Sequence, residues 1–571
     1  MKTLLHLLCS VILLTVFVTW ISTAQVENVP ASHPVYTFLK RMDVKGIIER
    51  YRDAILPMSR KEVGEFLTAI DKNRTELTET EQSWLDRYLL EFRFDIHGTT
   101  DGANSLIASE IPGVSNGFGN IFSGNNQYLY AYHDSDLTMF VNGLLAFNAR
   151  RINGDVLGDA HAEFIQGGGR IRGTLGSHFG YYVQGTNAQF WGSRDLLLRD
   201  TLLSQAQTLR DNTAQNFDMA EGYARYDGGI ISAELGMERV LWGNGYDQKM
   251  LISDNIRTFP MIRTDIQFKS LKYTFMHGWL LGRPLPWTLF VSADSAAKIK
   301  GPYIADKYTA AHRIEFSFPR QFDIGFQEMI IYANRPFDLG YLNPFILLES
   351  VQRARGSRDH DLWALDLRTH FIPGLQFTGT LVVNDVHFQD FFLNRWYNRN
   401  AYQLGFFLTD PIGLPNTSLM AEWTHINPYT YSHEYSIEEN YTSYGAIIGP
   451  RIGPNSESWF VRGDLVPSPN LTLSVSGTLV RHGDNILDAK GNLVKDVGGD
   501  IWQPHLPTDP IETVFLDGNL VTTKRLQFFG NYEIVHHVWL GGWFEWERID
   551  SAATNKVNLN KTFGAEIRME I

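Results

Sequence analysis

Thr562-Phe563-Gly564-Ala565-Glu566-Ile567-Arg568-Met569-Glu570-Ile571 ends the chain. Side chains of an extended strand point alternately to opposite faces, so Phe563, Ala565, Ile567, Met569 and Ile571 share one face, and Thr562, Gly564, Glu566, Arg568 and Glu570 the other. The same period runs upstream. Leu471, Leu473, Val475, Gly477 and Leu479 alternate with Thr472, Ser474, Ser476 and Thr478, and Leu375, Phe377, Gly379, Leu381 and Val383 with Gln376, Thr378, Thr380 and Asn384. Leu137, Met139, Val141, Leu145 and Phe147 likewise face away from Thr138, Asn142, Asn148 and Arg150.

In a soluble sandwich the apolar face of such strands is the core; in a membrane barrel it meets lipid and the polar face lines the lumen. Three features favour the barrel. The strands recur over roughly 450 residues, too many for a simple sandwich. Aromatic residues, 13% of the chain, cluster near expected strand ends at Tyr128, Tyr130 and Tyr132, at Tyr181-Tyr182, at Phe190-Trp191 and at Trp539, Trp543 and Trp546, as interfacial girdles would. Glycine recurs on strand faces at Gly173, Gly185, Gly379, Gly477, Gly530 and Gly564. At about 25 residues per strand and connection, the region holds roughly 16 to 18 strands. Long connections are expected near 192–216, 343–359, 427–457 and 484–512, facing the cell exterior.

The other end of the chain sets the expected compartment. Lys2 precedes an apolar run from Leu4 to Ile21, and Ser22-Thr23-Ala24 before Gln25 reads as a signal-peptidase site. Cys9 is the only cysteine and lies in that leader, so no disulfide or thiolate metal site is expected in the mature chain. Without Lys2, 49 basic residues face 63 acidic ones, which makes nucleic acid a poor partner. No later stretch reaches the roughly 20 apolar residues of a membrane helix.

Between the leader and the strands the spacing is helical. Val35, Phe38, Leu39 and Met42, then Ile47, Ile48 and Tyr51, lie at intervals of three and four. Ser59-Arg60-Lys61-Glu62 and Thr78-Glu79-Thr80-Glu81 both read as capping boxes. Val63, Phe66, Leu67 and Ile70, then Trp84, Leu85, Tyr88 and Leu89, supply two more apolar stripes. The expected division is a signal peptide over 1–24, a periplasmic helical domain over 25–100 and an outer-membrane β-barrel over 101–571.

Local sequences resemble the capsule assembly protein Wzi family. They are His33-Pro34-Val35-Tyr36 with Phe38-Leu39 and Gly46, Pro57-Met58-Ser59-Arg60, and Leu241-Trp242-Gly243-Asn244-Gly245 leading to Leu251-Ile252-Ser253-Asp254-Asn255. Phe259-Pro260-Met261-Ile262 and Asn334-Arg335-Pro336 with Tyr341-Leu342-Asn343-Pro344-Phe345 extend the likeness. The final strand is similar to that of outer-membrane proteins, with Ile571 in place of their usual terminal aromatic. The resemblance implies a non-enzymatic barrel that holds capsular or extracellular polysaccharide on the cell, with outer-membrane lipid around it and a polysaccharide export complex as a further partner. It brings no cofactor.

A sugar site needs aromatic faces with polar or charged forks beside them. Tyr429, Tyr431, Tyr435, Tyr441 and Tyr444, with His433, Glu434, Glu438 and Glu439, have that composition, as would an interfacial girdle. Phe391, Phe392, Arg395, Trp396, Tyr397 and Arg399 form a second candidate. Arg353, Arg355 and Arg358 can grip an anionic glycan or pair internally with Asp359 and Asp361.

Catalytic motifs are weak by comparison. Gln166-Gly167-Gly168-Gly169-Arg170 lacks the lysine and hydroxyl of a phosphate loop. Gly113-Val114-Ser115-Asn116-Gly117 lacks the strand and helix that a nucleophile elbow requires. His536-His537, read as consecutive residues of a strand, would point their rings apart. Asp134 with Asp136, and Asp484 with Asp488, read as solvated loops or Ca²⁺ ligands. A passive porin and an outer-membrane hydrolase remain the rival readings.

Overall fold

The computed structural model describes residues 25–107, 122–210, 212–282, 306–385 and 393–571. The Gly113–Gly117 motif and Phe391-Phe392 lie outside them. Among the described residues eighteen antiparallel strands close into a barrel, from Thr138–Gly154 round to Lys556–Glu570. The terminal strand closes the ring as its alternation requires. Asn560 pairs with Gly154 and Glu570 with Leu144, and Ile571 exchanges both backbone hydrogen bonds with Gly143, its N–H donating at 3.0 Å and its carbonyl accepting at 2.5 Å. Beyond that point the short strand Asn126–His133 continues the ladder, Tyr130 opposite Val141 and His133 opposite Thr138. The first strand therefore keeps a partner where the last one stops.

Leu145, Phe147, Val183, Leu235, Leu367, Phe377, Leu404, Val461, Val475, Phe563 and Ile567 are all exposed on the outer face. An exposed apolar belt of this extent suits lipid and would be a liability in water. Polar partners in the alternation, such as Asn142, Asn148, Thr378 and Gln403, are buried inside. The girdle reading fails for five aromatic residues, among them Tyr182, stacked on Tyr223 (5.2 Å), and Phe190, buried with Leu197 and Phe217. Tyr128 packs with Phe94 and Phe140, and Trp539 and Trp543 sit at inward positions under the guanidiniums of Arg568 (5.0 Å) and Arg150 (5.8 Å).

Short turns at 176–178, 228–230, 269–270, 319–321 and 469–470 lie at one end of the barrel, and the connections 193–215, 427–455 and 485–518 at the other. Four helices, α1 (Val35–Val44), α2 (Arg60–Lys72), α3 (Glu79–Glu91) and α4 (Arg93–His97), cap the short-turn mouth. Their stripes meet in one core of Val35, Phe38, Leu39, Met42, Val63, Leu67, Ile70 and Leu85. Thr78 and Glu81 form the full capping box of α3, whereas Ser59 accepts from the Glu62 N–H without the reciprocal bond. The domain is tied to the barrel's turns. Arg52 Nε donates to Ser317 Oγ (2.9 Å), Trp84 Nε1 to the Pro469 carbonyl (3.0 Å), the Gly374 N–H to the Val44 carbonyl (2.7 Å), and Arg41 pairs with Asp410 (2.5 Å). Ahead of α1, residues Gln25 to Val29 are buried against the barrel's inner wall, where Glu27 meets Arg172 (2.6 Å) and Asn28 Nδ2 donates to Glu234 (2.7 Å) and Glu238 (2.8 Å).

The connection 239–258 turns inward. Trp242 is fully buried, its Nε1 donating to Gln327 (2.6 Å), and its backbone pairs with Ile55 of the helical domain and with Ile252. Asn244 accepts from Arg368 (2.6 Å), and Glu422 accepts from the N–H groups of Tyr246 (2.5 Å) and Gln248 (3.2 Å). A Cβ on Gly245 would sit 1.8 Å from the Gln248 carbonyl, so the loop turns here only with glycine. Around Trp242, the inward-facing Met261, Met276, Met329, Leu362, Val382, Ala401 and Ile426 form an apolar core within the lumen. A uniformly polar interior is thus corrected: where a chain segment fills the lumen, the wall facing it becomes apolar. Trp242→Ala should cost about 3–5 kcal/mol of unfolding free energy, seen as a lower denaturant midpoint; an unchanged midpoint would mean that the plug does not hold the barrel.

Candidate functional site

Access separates the candidate residues. The connection 334–359 does not stand at the mouth but folds down the outer wall, where the Pro344 carbonyl accepts from Tyr273 OH and Glu328 receives the N–H groups of Leu348 (2.8 Å) and Glu349 (2.7 Å). Asn343 Oδ1 makes a turn with the Phe345 N–H (3.1 Å). Arg353 pairs with Glu349 (2.5 Å) and Arg355 with Asp338 (2.7 Å), while Asp359 is taken by Arg335 at 2.5 and 2.6 Å. Asn343, Pro344, Arg353 and Arg355 therefore build this flap, as Trp242 and Asn244 build the plug.

Arg358, at the end of the flap, reaches the long-connection mouth. Its guanidinium is exposed, has no carboxylate partner among the described residues, and lies 4.5 Å from the ring of Tyr435, itself 59% exposed. Beneath them His433 joins two connections: Nε2–H donates to the Arg358 carbonyl (2.8 Å), and Nδ1 accepts from the N–H groups of Ser436 (2.9 Å) and Tyr435 (3.3 Å). These acceptor contacts require the Nε2–H tautomer. Burial and the nearby Arg399 hold His433 neutral, down to about 4. Glu439, 3.6 Å from the same ring, is pushed up to about 7 by burial and by Asp359.

A second aromatic surface joins 393–398 to 500–513. Trp396 stacks on His505, 4.1 Å between centroids and 7° apart, with the Tyr429 ring edge-on to His505 at 5.3 Å. Arg395 is engaged by Glu512 (3.1 Å), and the Trp396 N–H donates to the Ile511 carbonyl (3.1 Å). Gly498 underlies this platform: its φ is +70°, and a Cβ would meet the Tyr429 ring at 2.5 Å. Tyr429 is buried, so it supports Trp396 and His505 without offering a face of its own. Tyr431 and Tyr441 are fully buried and point down into the plug, donating to the carbonyls of Met250 (3.0 Å) and Leu251 (3.1 Å). Tyr444 is half-buried under the Arg210 guanidinium (4.4 Å), which leaves Tyr435 as the most exposed ring of the tyrosine run. His505 and Gly498 were missed in the sequence, since neither lies in an aromatic cluster.

The catalytic candidates disperse. His536 and His537 occupy a turn, with rings 3.8 Å apart and not opposed as a strand would place them; His536 engages Glu533 (3.3 Å) and Gln127 (3.0 Å), and His537 the Asn126 carbonyl. Asp134 and Asp488 accept backbone N–H groups of their own turns. Among the described residues no three His, Cys, Asp or Glu side chains gather as a metal site.

The sequence profile of the capsule assembly protein Wzi family matches residues 117–499. The chain is similar in fold to an Escherichia coli outer-membrane protein, Wzi, described as involved in group 1 capsule assembly and as a carbohydrate-binding β-barrel. The identity is 14%, the TM-score 0.54, and the match covers 95% of this chain and 99% of that one. Pseudomonas aeruginosa OccK5 (OpdH) and OpdQ match at 10% identity with TM-scores of 0.40 and 0.42, over 76% and 77% of this chain and 98% and 99% of theirs. No curated protein sequence matches.

Glu439 and His433, both shifted chiefly by burial, make the mouth pH-dependent. Glu439, raised on folding, contributes stability that is full below its ordinary value near 4.5 and is lost as pH rises through about 7. His433, lowered, contributes stability present above about 6.5 and lost as pH falls through about 4. Glu439→Gln should therefore flatten the decline in stability between about pH 5 and pH 8, an effect of at most about 3 kcal/mol. The Tm difference between variant and parent across that range reads it; parallel profiles would contradict the assignment.

Proposed function

The chain belongs to the capsule assembly protein Wzi family, and from that membership we propose that it is a non-enzymatic outer-membrane barrel that holds capsular or related extracellular polysaccharide at its long-connection mouth. The helical domain and short turns then face the periplasm, where the domain is placed to meet an export complex, and the apolar belt lies in the outer membrane. The observation that carries this reading is the exposed Tyr435 ring with the unpaired Arg358 guanidinium beside it. Such a pair offers a flat face to sugar C–H groups and a two-pronged donor to a uronate or other acidic substituent. Trp396 and His505 supply a second face.

The chain's acidic balance makes the pairing pattern informative. With 63 acidic against 50 basic residues overall, an anionic polymer needs a local excess of cation. Arg353 and Arg355 do not provide it, because each is held by a carboxylate. Arg358 does. The plug that the loop 239–258 sends into the lumen supports binding over conduction.

Cells lacking the protein should lose cell-associated polysaccharide while polymer accumulates in the medium. Restoration by a Tyr435→Ala, Arg358→Gln double variant should recover only a small part of that retention, with normal amounts of folded barrel in the outer membrane. Full retention by the double variant and by Trp396→Ala would contradict the mouth site.

A further inference from the structure

The plug fills only part of the lumen. Between the wall strands 138–227, the last strand and the inward loop lies a cavity of about 310 Å³, floored by Pro30, Ala31 and Ser32 next to the helical domain and roofed by Leu202 and Thr258. That is the size at which small-molecule pockets begin. Arg170, Arg239, Arg257 and Arg568 line it.

These guanidiniums are unevenly partnered. Arg170 is committed to Glu570 and to the side chains of Tyr182 (3.1 Å) and Gln184 (2.9 Å). Arg257 donates to carbonyls alone, of Gln205 (3.3 Å) and Asp218 (2.9 Å), and Arg568 lies over Trp539. Among the described residues Arg239, Arg257 and Arg568 make no ion pair, and Arg239 makes no hydrogen bond. Of the lining carboxylates, Glu570 serves Arg170 and Glu238 receives Asn28, which leaves Glu221 as the nearby counter-charge. Cations held in a barrel interior without bonded counter-ions favour an anion brought from outside. Gln166 spends its amide N–H on Thr186 (2.6 Å), and Gln184 its carbonyl on Arg170 and Tyr182, so one amide oxygen and one amide NH₂ stay free for hydroxyl groups.

We propose that this cavity is a second binding site, for a single acidic sugar residue: the free guanidiniums take its carboxylate, and the amides of Gln166 and Gln184 take its hydroxyls. Ser32 and Arg568 are both exposed, so the site is reached from the helical-domain end. The assignment shares an acidic glycan with the mouth reading but rests on different residues.

The chain's only cysteine, Cys9, lies in the expected leader, so Ser32→Cys introduces a single thiol at the cavity floor. In purified protein with the heat-modifiable migration of a folded barrel, saturating D-glucuronate should slow maleimide labelling of that thiol at least tenfold, and D-glucose should not. Arg239→Gln with Arg568→Gln should raise the glucuronate concentration required by tenfold or more, and the corresponding lysine pair should restore part of the effect. Labelling unaffected by glucuronate, or slowed equally by glucose, would overturn the site. So would protection that disappears with the mouth variant Tyr435→Ala. Protection that persists while cellular retention is unaffected by mouth variants would remove the mouth reading alone.

Discussion

A ring of eighteen strands is too wide for its own side chains to fill. Eight strands leave room only for their inward residues or one small ligand, whereas barrels of sixteen to eighteen enclose a channel unless other parts of the chain enter it. This chain answers by sending three segments inside: residues 25–29 ahead of the helices, the loop 239–258 that follows a short strand, and the connection 427–455 from the opposite mouth. Residues 25–29 pair with the helical domain, the Val29 N–H donating to the Met58 carbonyl (2.9 Å) and the Arg60 N–H to that of Glu27 (2.9 Å). The loop joins domain to lid, since Trp242 pairs with Ile55 and Tyr431 donates to Met250. Helical domain, plug and lid are therefore one packed body within the barrel.

That packing explains where function can reside. Most polar side chains at the long-connection mouth are consumed in holding the lid: His433 joins Arg358 to the tyrosine run, and Asn440 receives the His433 N–H (2.6 Å) while donating to the Ile501 carbonyl (2.5 Å). What is left over is small and specific. Tyr435 with Arg358, and Trp396 with His505, are aromatic faces that the packing leaves at the mouth, and the arginines of the remaining cavity are cations that it leaves without partners. Exposed aromatic faces and cations without counter-ions are physical pointers to a ligand.

The barrel was legible in the sequence because alternation in Leu471–Leu479 or Phe563–Ile571 is a local property, fixed by the two sides of a strand. The strand count and the helical stripes around Phe38, Leu67 and Leu85 were readable for the same reason. Direction of insertion was not. Nothing in Leu241-Trp242-Gly243-Asn244-Gly245 says that the loop turns into the lumen, because its partners, Gln327, Arg368 and Glu422, come from strands 85 or more positions away. Tyr431 and Tyr435 differ by four positions in one run, yet one is fully buried and the other is 59% exposed. Composition could nominate that run but not choose within it, and the arginines 353, 355 and 358 are separated by carboxylates of their own connection: Glu349, one helical turn before Arg353, and Asp338, which the fold of the flap brings to Arg355.

The central claim is a barrel whose plugged lumen does not conduct, with its binding chemistry at the mouth and in one recess that opens toward the helical domain. Planar-bilayer recording on the reconstituted full-length protein tests it most directly. The account predicts a baseline without steady ohmic steps across applied voltages of either sign; a stable open-channel current from single insertions would contradict it and return the chain to the class of passive pores.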